Sequence, residues 1–216
     1  MAAYTHTPPR WSLRLAVAAG VVLVATALAA QGLPDWEESL FRTIHSLPDW
    51  LEPVLWLPMQ LGAGFAPGLV AAGSWIAWGR WRPTVGAIVA GITAWWLAQV
   101  VKAAVDRGRP YSFITDVVQR PRAPDDGLGF LSGHATMAFA LAAVLSPYLT
   151  RRLRVAAYGL AGAVAFARVH LGAHFPLDVV AGAALGYGLG WLWNLAVGVP
   201  ADAPSELSGA AGPSDR

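Results

Sequence analysis

His174 and Asp178 stand four residues apart, which on a helical turn puts both side chains on one face. A carboxylate that accepts from one imidazole nitrogen fixes the tautomer and leaves the other nitrogen free to attack. That is the base-and-orienter relation of catalytic triads, with histidine itself as nucleophile. His134, after Ser132 and Gly133, could protonate a departing alkoxide or phosphate. Lys102, Arg109 and Arg168 complete the polar set. Three cations in one pocket need an anion, and phosphate suits them: arginine forks bind its oxygens in pairs and lysine adds a point charge. Ser132 and Gly133 at a helix start add backbone N–H donors and the positive end of the helix dipole. The chemistry this permits is attack of histidine on phosphorus, with the cations steadying the equatorial oxygens in place of a metal. Taken singly, an arginine at a membrane boundary snorkels to headgroups, and a lone histidine is more often structural. Three cations beside two histidines favour the catalytic reading.

These groups lie in separate stretches, 102–110, 130–134 and 168–178, so other elements must bring them together. Composition says what those elements are. Of 216 residues, 56% are hydrophobic and 13% charged, where a soluble domain would be about a quarter charged. So few charges cannot cover a globular surface, and the excess apolar sequence must face lipid. Eleven tryptophans agree, since indole favours the membrane boundary. Trp11, Trp36, Trp50, Trp78, Trp81 and Trp191 fall near the ends of apolar runs, while Trp95 and Trp96, in mid-run, read as core. The absence of cysteine excludes disulfides and thiolate metal sites, and a net charge of +2 is too small to suggest nucleic acid. No metal site is read, because Asp178, the carboxylate beside a pocket histidine, already has an orienting role.

A bilayer core of roughly 30 Å needs about 20 helical residues. Six runs approach that length: about Leu13–Ala30, Pro53–Trp78, Thr84–Val105, Gly133–Leu149, Leu153–Val169 and Pro176–Val197. Ala27 to Ala30 resembles a signal cleavage site, but the apolar stretch before it is longer than a signal core. Between the first two runs an acidic segment bears Pro34 and Pro48 around an amphipathic centre of Trp36, Leu40, Phe41 and Ile44, which reads as an interfacial helix. Pro58, Gly62, Gly64, Pro67 and Gly68 predict an irregular second span. Gly182, Gly186 and Gly190 form a small-residue stripe that lets another helix approach closely. Packing inside the bundle is its favoured use, with homodimerisation the alternative. The expected fold is all-α, a polytopic membrane bundle of about six transmembrane helices with a short interfacial helix after the first. It occupies residues 1–200, and the Ala-, Ser-, Gly- and Pro-rich segment 201–216 reads as a disordered tail.

Orientation follows from arginine. Arg10 and Arg14, Arg80 and Arg82, and Arg151, Arg152 and Arg154 mark three regions that share one side of a six-span chain. The positive-inside rule makes that side, with both termini, cytoplasmic. All three polar stretches then meet at the extracytoplasmic face, where their arginines break the charge rule and call for a function. Arg107, Arg120 and Arg122 read as solvated loop residues, with guidance of an anionic headgroup as the alternative, and His170 as structural.

Lys102-x6-Arg109-Pro110, Ser132-Gly133-His134 and Arg168-x5-His174-x3-Asp178 resemble the three-part signature of the type 2 phosphatidic acid phosphatase family. The motifs cover residues 102–178, and the six-span layout extends the likeness to about 13–197. The resemblance implies that His174 is the nucleophile, Asp178 its partner and His134 the general acid. It makes Lys102, Arg109, Arg168, Ser132 and Gly133 the phosphate binders, with no cofactor. The same core occurs in soluble vanadium-dependent haloperoxidases, but six membrane spans suit lipid substrates. Two positions depart from the pattern: Leu131 stands where the family usually has Pro, and Ala167 where it has Ser. Neither supplies a reacting group, though a lost serine hydroxyl bears on phosphate or lysine positioning.

The expected activity is hydrolysis of the terminal phosphate of a lipid at the plasma membrane, through a phosphohistidine and without metal. Phosphatidate, phosphatidylglycerol phosphate, diacylglycerol pyrophosphate and polyprenyl pyrophosphate all qualify, the last favoured by family analogy. A transporter or channel would also place ionisable groups in its spans, but here they cluster at one face. A non-catalytic lipid-phosphate binder would have lost a histidine, and both are present.

Overall fold

The computed structural model describes residues 3–201 apart from 9, 119 and 125. Its helices are α1 (Trp11–Ala29), α2 (Asp35–His45), α3 (Leu51–Met59), α4 (Ala66–Trp78), α5 (Trp81–Val105), α6 (Pro110–Phe113), α7 (Gly133–Leu145), α8 (Arg151–His170) and α9 (Pro176–Val197). Short 3-10 turns at Gln60–Gly62 and Ser146–Tyr148 follow α3 and α7. Strands β1 (Tyr4–Thr5) and β2 (Val199–Pro200) pair antiparallel and tie the N-terminal segment to the end of α9. Residues 202–216, the expected tail, lie outside the described residues.

Local chemistry sets the boundaries. Ser132 caps α7 and Thr150 caps α8, each accepting from a backbone N–H of the first turn. Pro176 opens α9, where its missing N–H costs nothing. Asp178 accepts from the Phe175 N–H at 2.8 Å and closes that helix start.

The fold is the expected all-α membrane bundle. Three segments are long and apolar enough to cross a bilayer, Trp11–Ala29, Trp81–Phe113 and Pro176–Val197. The α3–α4 pair passes the same test only when taken together and bends by 74° at its break, a broken span or a re-entrant loop, where the prolines and glycines predicted irregularity. The other two expected spans are less regular. The α-helix of α7 stops at Leu145 and ends in the 3-10 turn, and α8 carries four arginines.

Close contact between α7 and α9 positions the site. A Cβ at Gly182 would lie 2.6 Å from the Ser132 carbonyl oxygen, and one at Gly190 would lie 2.6 Å from that of Ala140. The glycine stripe is therefore spent inside the bundle. On α5 the inward face is Ala87, Ala90, Gly91, Ala94 and Ala98, small residues at helical spacing. That face leaves Trp95 and Trp96 outside: both are more than half exposed, against the expectation of a core role. Trp191, expected at a boundary, is buried, with the Arg14 guanidinium 4.1 Å over its ring.

The bundle has two unlike ends. At one, Trp78 packs on Tyr148, and Arg82 donates to the Val197 carbonyl at 2.8 Å and stacks over Tyr4. At the other lie α2, α3 and the long connection from α5 to α7.

Candidate active site

At this second end the three motifs converge through backbone bonds. Gly172, with φ +78°, turns the chain back after α8, a conformation that costs glycine little. The N–H groups of Ala173 and His174 then donate to the Arg168 carbonyl at 3.1 and 3.2 Å, holding His174 beside the arginine. Arg109 donates through Nη1 to the Ala173 carbonyl at 3.0 Å and through Nε to that of Asp126 at 2.7 Å. Lys102 donates to the carbonyls of Leu128 and Gly129 at 3.0 and 3.2 Å. The Ser132 N–H donates to the Asp178 carbonyl at 2.9 Å, joining the second motif to the third. His134 follows Gly133 on the first turn of α7. The turn after α3 presses against it so closely that a Cβ at Gly62 would lie 2.7 Å from its carbonyl oxygen.

The site is rich in uncompensated positive charge. Among the described residues, Lys102, Arg109 and Arg168 have no carboxylate within ion-pair distance, whereas Arg42 and Arg107 are each paired with two and Arg120 and Arg122 with one. Arg168 is buried, its Nε has no partner, and its Nη1 reaches Met59 Sδ at 3.7 Å. Burial, followed by the nearby Arg168, Lys102, Arg109 and His134, holds the His174 imidazole well below its usual 6.5. His174 is therefore a neutral, buried base facing three cations. Its Nδ1 lies 3.6 Å from Asp178 Oδ2, an approach too long for a hydrogen bond.

Residues 76–199, more than half of the chain, match the PAP2 superfamily. The chain belongs to the PAP2 superfamily. With its membrane-spanning helices, it is a membrane phosphatase of that superfamily. The fold is similar to that of a transmembrane PAP2-type phosphatidylglycerolphosphate phosphatase from Bacillus subtilis, with TM-score 0.70 and 23% identity over 84% of this chain and 94% of that one. It is also similar to LpxE from Aquifex aeolicus, with TM-score 0.65 and 26% identity over 72% and 92%. No curated protein matches significantly.

The eight residues expected from the PAP2 signature, Lys102, Arg109, Ser132, Gly133, His134, Arg168, His174 and Asp178, all belong to this one end of the bundle. Ala167, the departure from Ser, is buried with Met59, Leu171 and Ala173. Two loop arginines differ from the expected solvated state. Arg107 is buried, with Nη2 2.6 Å from Glu37 Oε2 and Nη1 3.0 Å from Asp178 Oδ1. Arg120 is also buried; it pairs with Asp49 and donates to the carbonyls of His45, Leu47 and His170, strapping the α5–α7 connection to α2 and α8. Arg122 pairs with Glu52 and stays half exposed.

Sequence reasoning missed Glu37, which is fully buried. On α2 the inward stripe is Glu37, Phe41, Ile44 and His45, while Trp36 and Leu40, expected in the apolar centre, face outward. A carboxylate in register with Phe41 and Ile44 was the available signal.

Proposed function

We propose that this protein removes the terminal phosphate from a membrane lipid through a covalent phosphohistidine on His174, at the extracytoplasmic face. The observation that carries the reading is the buried neutral imidazole of His174, backed by Asp178 and faced by three cations that have no carboxylate partner among the described residues. Lys102, Arg109 and Arg168, with the N-terminus of α7 at Ser132 and Gly133, hold the phosphate. Nε2 of His174 attacks phosphorus, and His134 protonates the departing oxygen. Water then cleaves the P–N bond.

The substrate is a lipid with a terminal phosphate. The other arginines at this end are all ion-paired, so the free charge suits one phosphate group. Phosphatidate fits that count, and phosphatidylglycerol phosphate or a polyprenyl pyrophosphate fits if its inner phosphate stays hydrated. The opposite end of the bundle carries Arg80, Arg82, Arg151, Arg152 and Arg154, which supports a cytoplasmic location for that end.

Phosphate release from a lipid panel by purified protein in EDTA, with and without vanadate, tests the reading. Vanadate-sensitive turnover that is lost in His174→Ala is expected. Absence of turnover, or strict dependence on added divalent cation, overturns it and returns the field to a lipid-phosphate binder, a transporter or a metal-dependent phosphatase.

A further inference from the structure

Asp178 does not face His174 alone. Its Oδ1 accepts from Arg107 Nη1 at 3.0 Å, and its Oδ2 accepts from the Phe175 N–H at 2.8 Å while lying 3.6 Å from His174 Nδ1. The far side of Arg107 is held by Glu37, whose Oε2 accepts from Nη2 at 2.6 Å. Glu37 Oε1 accepts from the Leu177 N–H at 2.8 Å, so this carboxylate also fixes the backbone just before Asp178. Arg107 is further located by the Gly32 carbonyl at 3.1 Å and by the ring of Phe175, 4.8 Å below its guanidinium carbon. All three charged side chains are buried.

Charge counting gives the cluster its use. Two carboxylates share one guanidinium, which leaves one net negative charge buried next to the imidazole. A buried charge persists only when something compensates it. Here the compensation lies across His174, in the phosphate-site cations and in the charge that the imidazole itself acquires.

We propose that Glu37 and Arg107 are positioning residues that keep Asp178 ionised and turned toward His174. This rests on the phosphohistidine reading above. In the first step the Nε2 lone pair forms a P–N bond, the bond from phosphorus to the lipid oxygen breaks, and His134 gives that oxygen a proton. The imidazole, keeping its Nδ1 proton, becomes a phosphorylated cation beside Asp178. In the second step water attacks phosphorus, His134 takes back a proton from it, and the P–N electron pair returns to Nε2. The net negative charge of the cluster stabilises the cationic intermediate. Without Glu37, Arg107 places its full charge on Asp178 and little is left for the imidazole. Without Arg107, two neighbouring buried carboxylates hold a proton between them, and a protonated Asp178 no longer accepts from Nδ1. The interfacial helix α2 thus acquires a purpose, since it carries Glu37 into the interior.

The test uses Glu37→Gln and Arg107→Gln in the full-length enzyme, with an activated aryl phosphate as substrate. Each is expected to lower kcat by about 10- to 100-fold, the scale of lost supporting contacts at other active sites. KM and the vanadate inhibition constant should stay near wild type, because the three phosphate-binding cations are untouched. Glu37→Asp, which keeps the charge, should recover part of kcat. Wild-type kcat in either variant overturns the proposal. So does a loss of vanadate affinity in step with kcat in both, which would assign the pair to holding the fold. If one variant alone stops binding vanadate, the other decides. The parent reading fails separately: wild-type enzyme that yields no alkali-stable phosphohistidine during turnover overturns it whatever the variants do.

Discussion

Arg168 Nη1 lies 3.7 Å from the sulfur of Met59, and this weak acceptor is its one hydrogen-bond partner among the described residues. A buried guanidinium without a carboxylate burdens the empty protein, and an anion relieves it. Vanadate should therefore raise the melting temperature of the detergent-solubilised enzyme, with about 2.7 kcal/mol expected at a hundredfold excess over Kd. Arg168→Met should remove most of that rise, cut activity severely, and leave the ligand-free protein at least as stable as wild type. A ligand-free variant less stable than wild type would show that Arg168 supports the fold rather than the anion.

The two histidines should respond differently to the leaving group. His174→Ala should abolish turnover on every substrate, since no covalent intermediate can form. His134→Ala removes a proton donor, typically worth about 10²–10⁴-fold. Its loss should be large on an alkyl phosphate, whose alkoxide needs the proton, and smaller on an activated aryl phosphate. Rescue of His174→Ala by the good leaving group would exchange the two assignments.

Acid should inhibit only well below the usual histidine range. Because the His174 pKa is depressed, the imidazole stays neutral and nucleophilic as the pH falls through 6.5. The acid limb of kcat/KM on an activated aryl phosphate should thus lie below about 6.5. A limb at or above that value would contradict the depressed imidazole. The same shift bears on stability. Below about 6.5 the unfolded histidine takes up a proton that the folded one refuses, so the folded state loses stability as pH falls. On acidification below about 6.5 the melting temperature of wild type should fall further than that of His174→Gln.

Sidedness can be read with single cysteines, because the chain has none of its own. Val118, 66% exposed near the site, and Arg152, exposed at the opposite end, are suitable positions. Ser146 is buried and unsuitable. An impermeant thiol reagent on intact cells should label Val118→Cys and spare Arg152→Cys. The reverse pattern would put catalysis on the cytoplasmic side.

Much of this was legible in the chain because it is local. Apolar runs of bilayer length, the prolines and glycines that break the second span, and the PAP2 motif spacings are all properties of neighbouring residues. His174 and Asp178 could be paired from a separation of four, and the stripe Gly182, Gly186, Gly190 could be assigned to close packing from its period. The facing of α5 was not legible: an almost wholly apolar helix has no polar side to mark what points outward, so Trp95 and Trp96 could be placed only once their small neighbours were seen against α7. Nor was the partnership of Glu37, Arg107 and Asp178. Those residues are separated by about 70 positions each way, and a charged residue in a loop looks solvated until a second element covers it. Local spacing determines which groups can share a helix face; which buried charge compensates another depends on how the elements pack, and here the folding of α2 onto the start of α9 decides it.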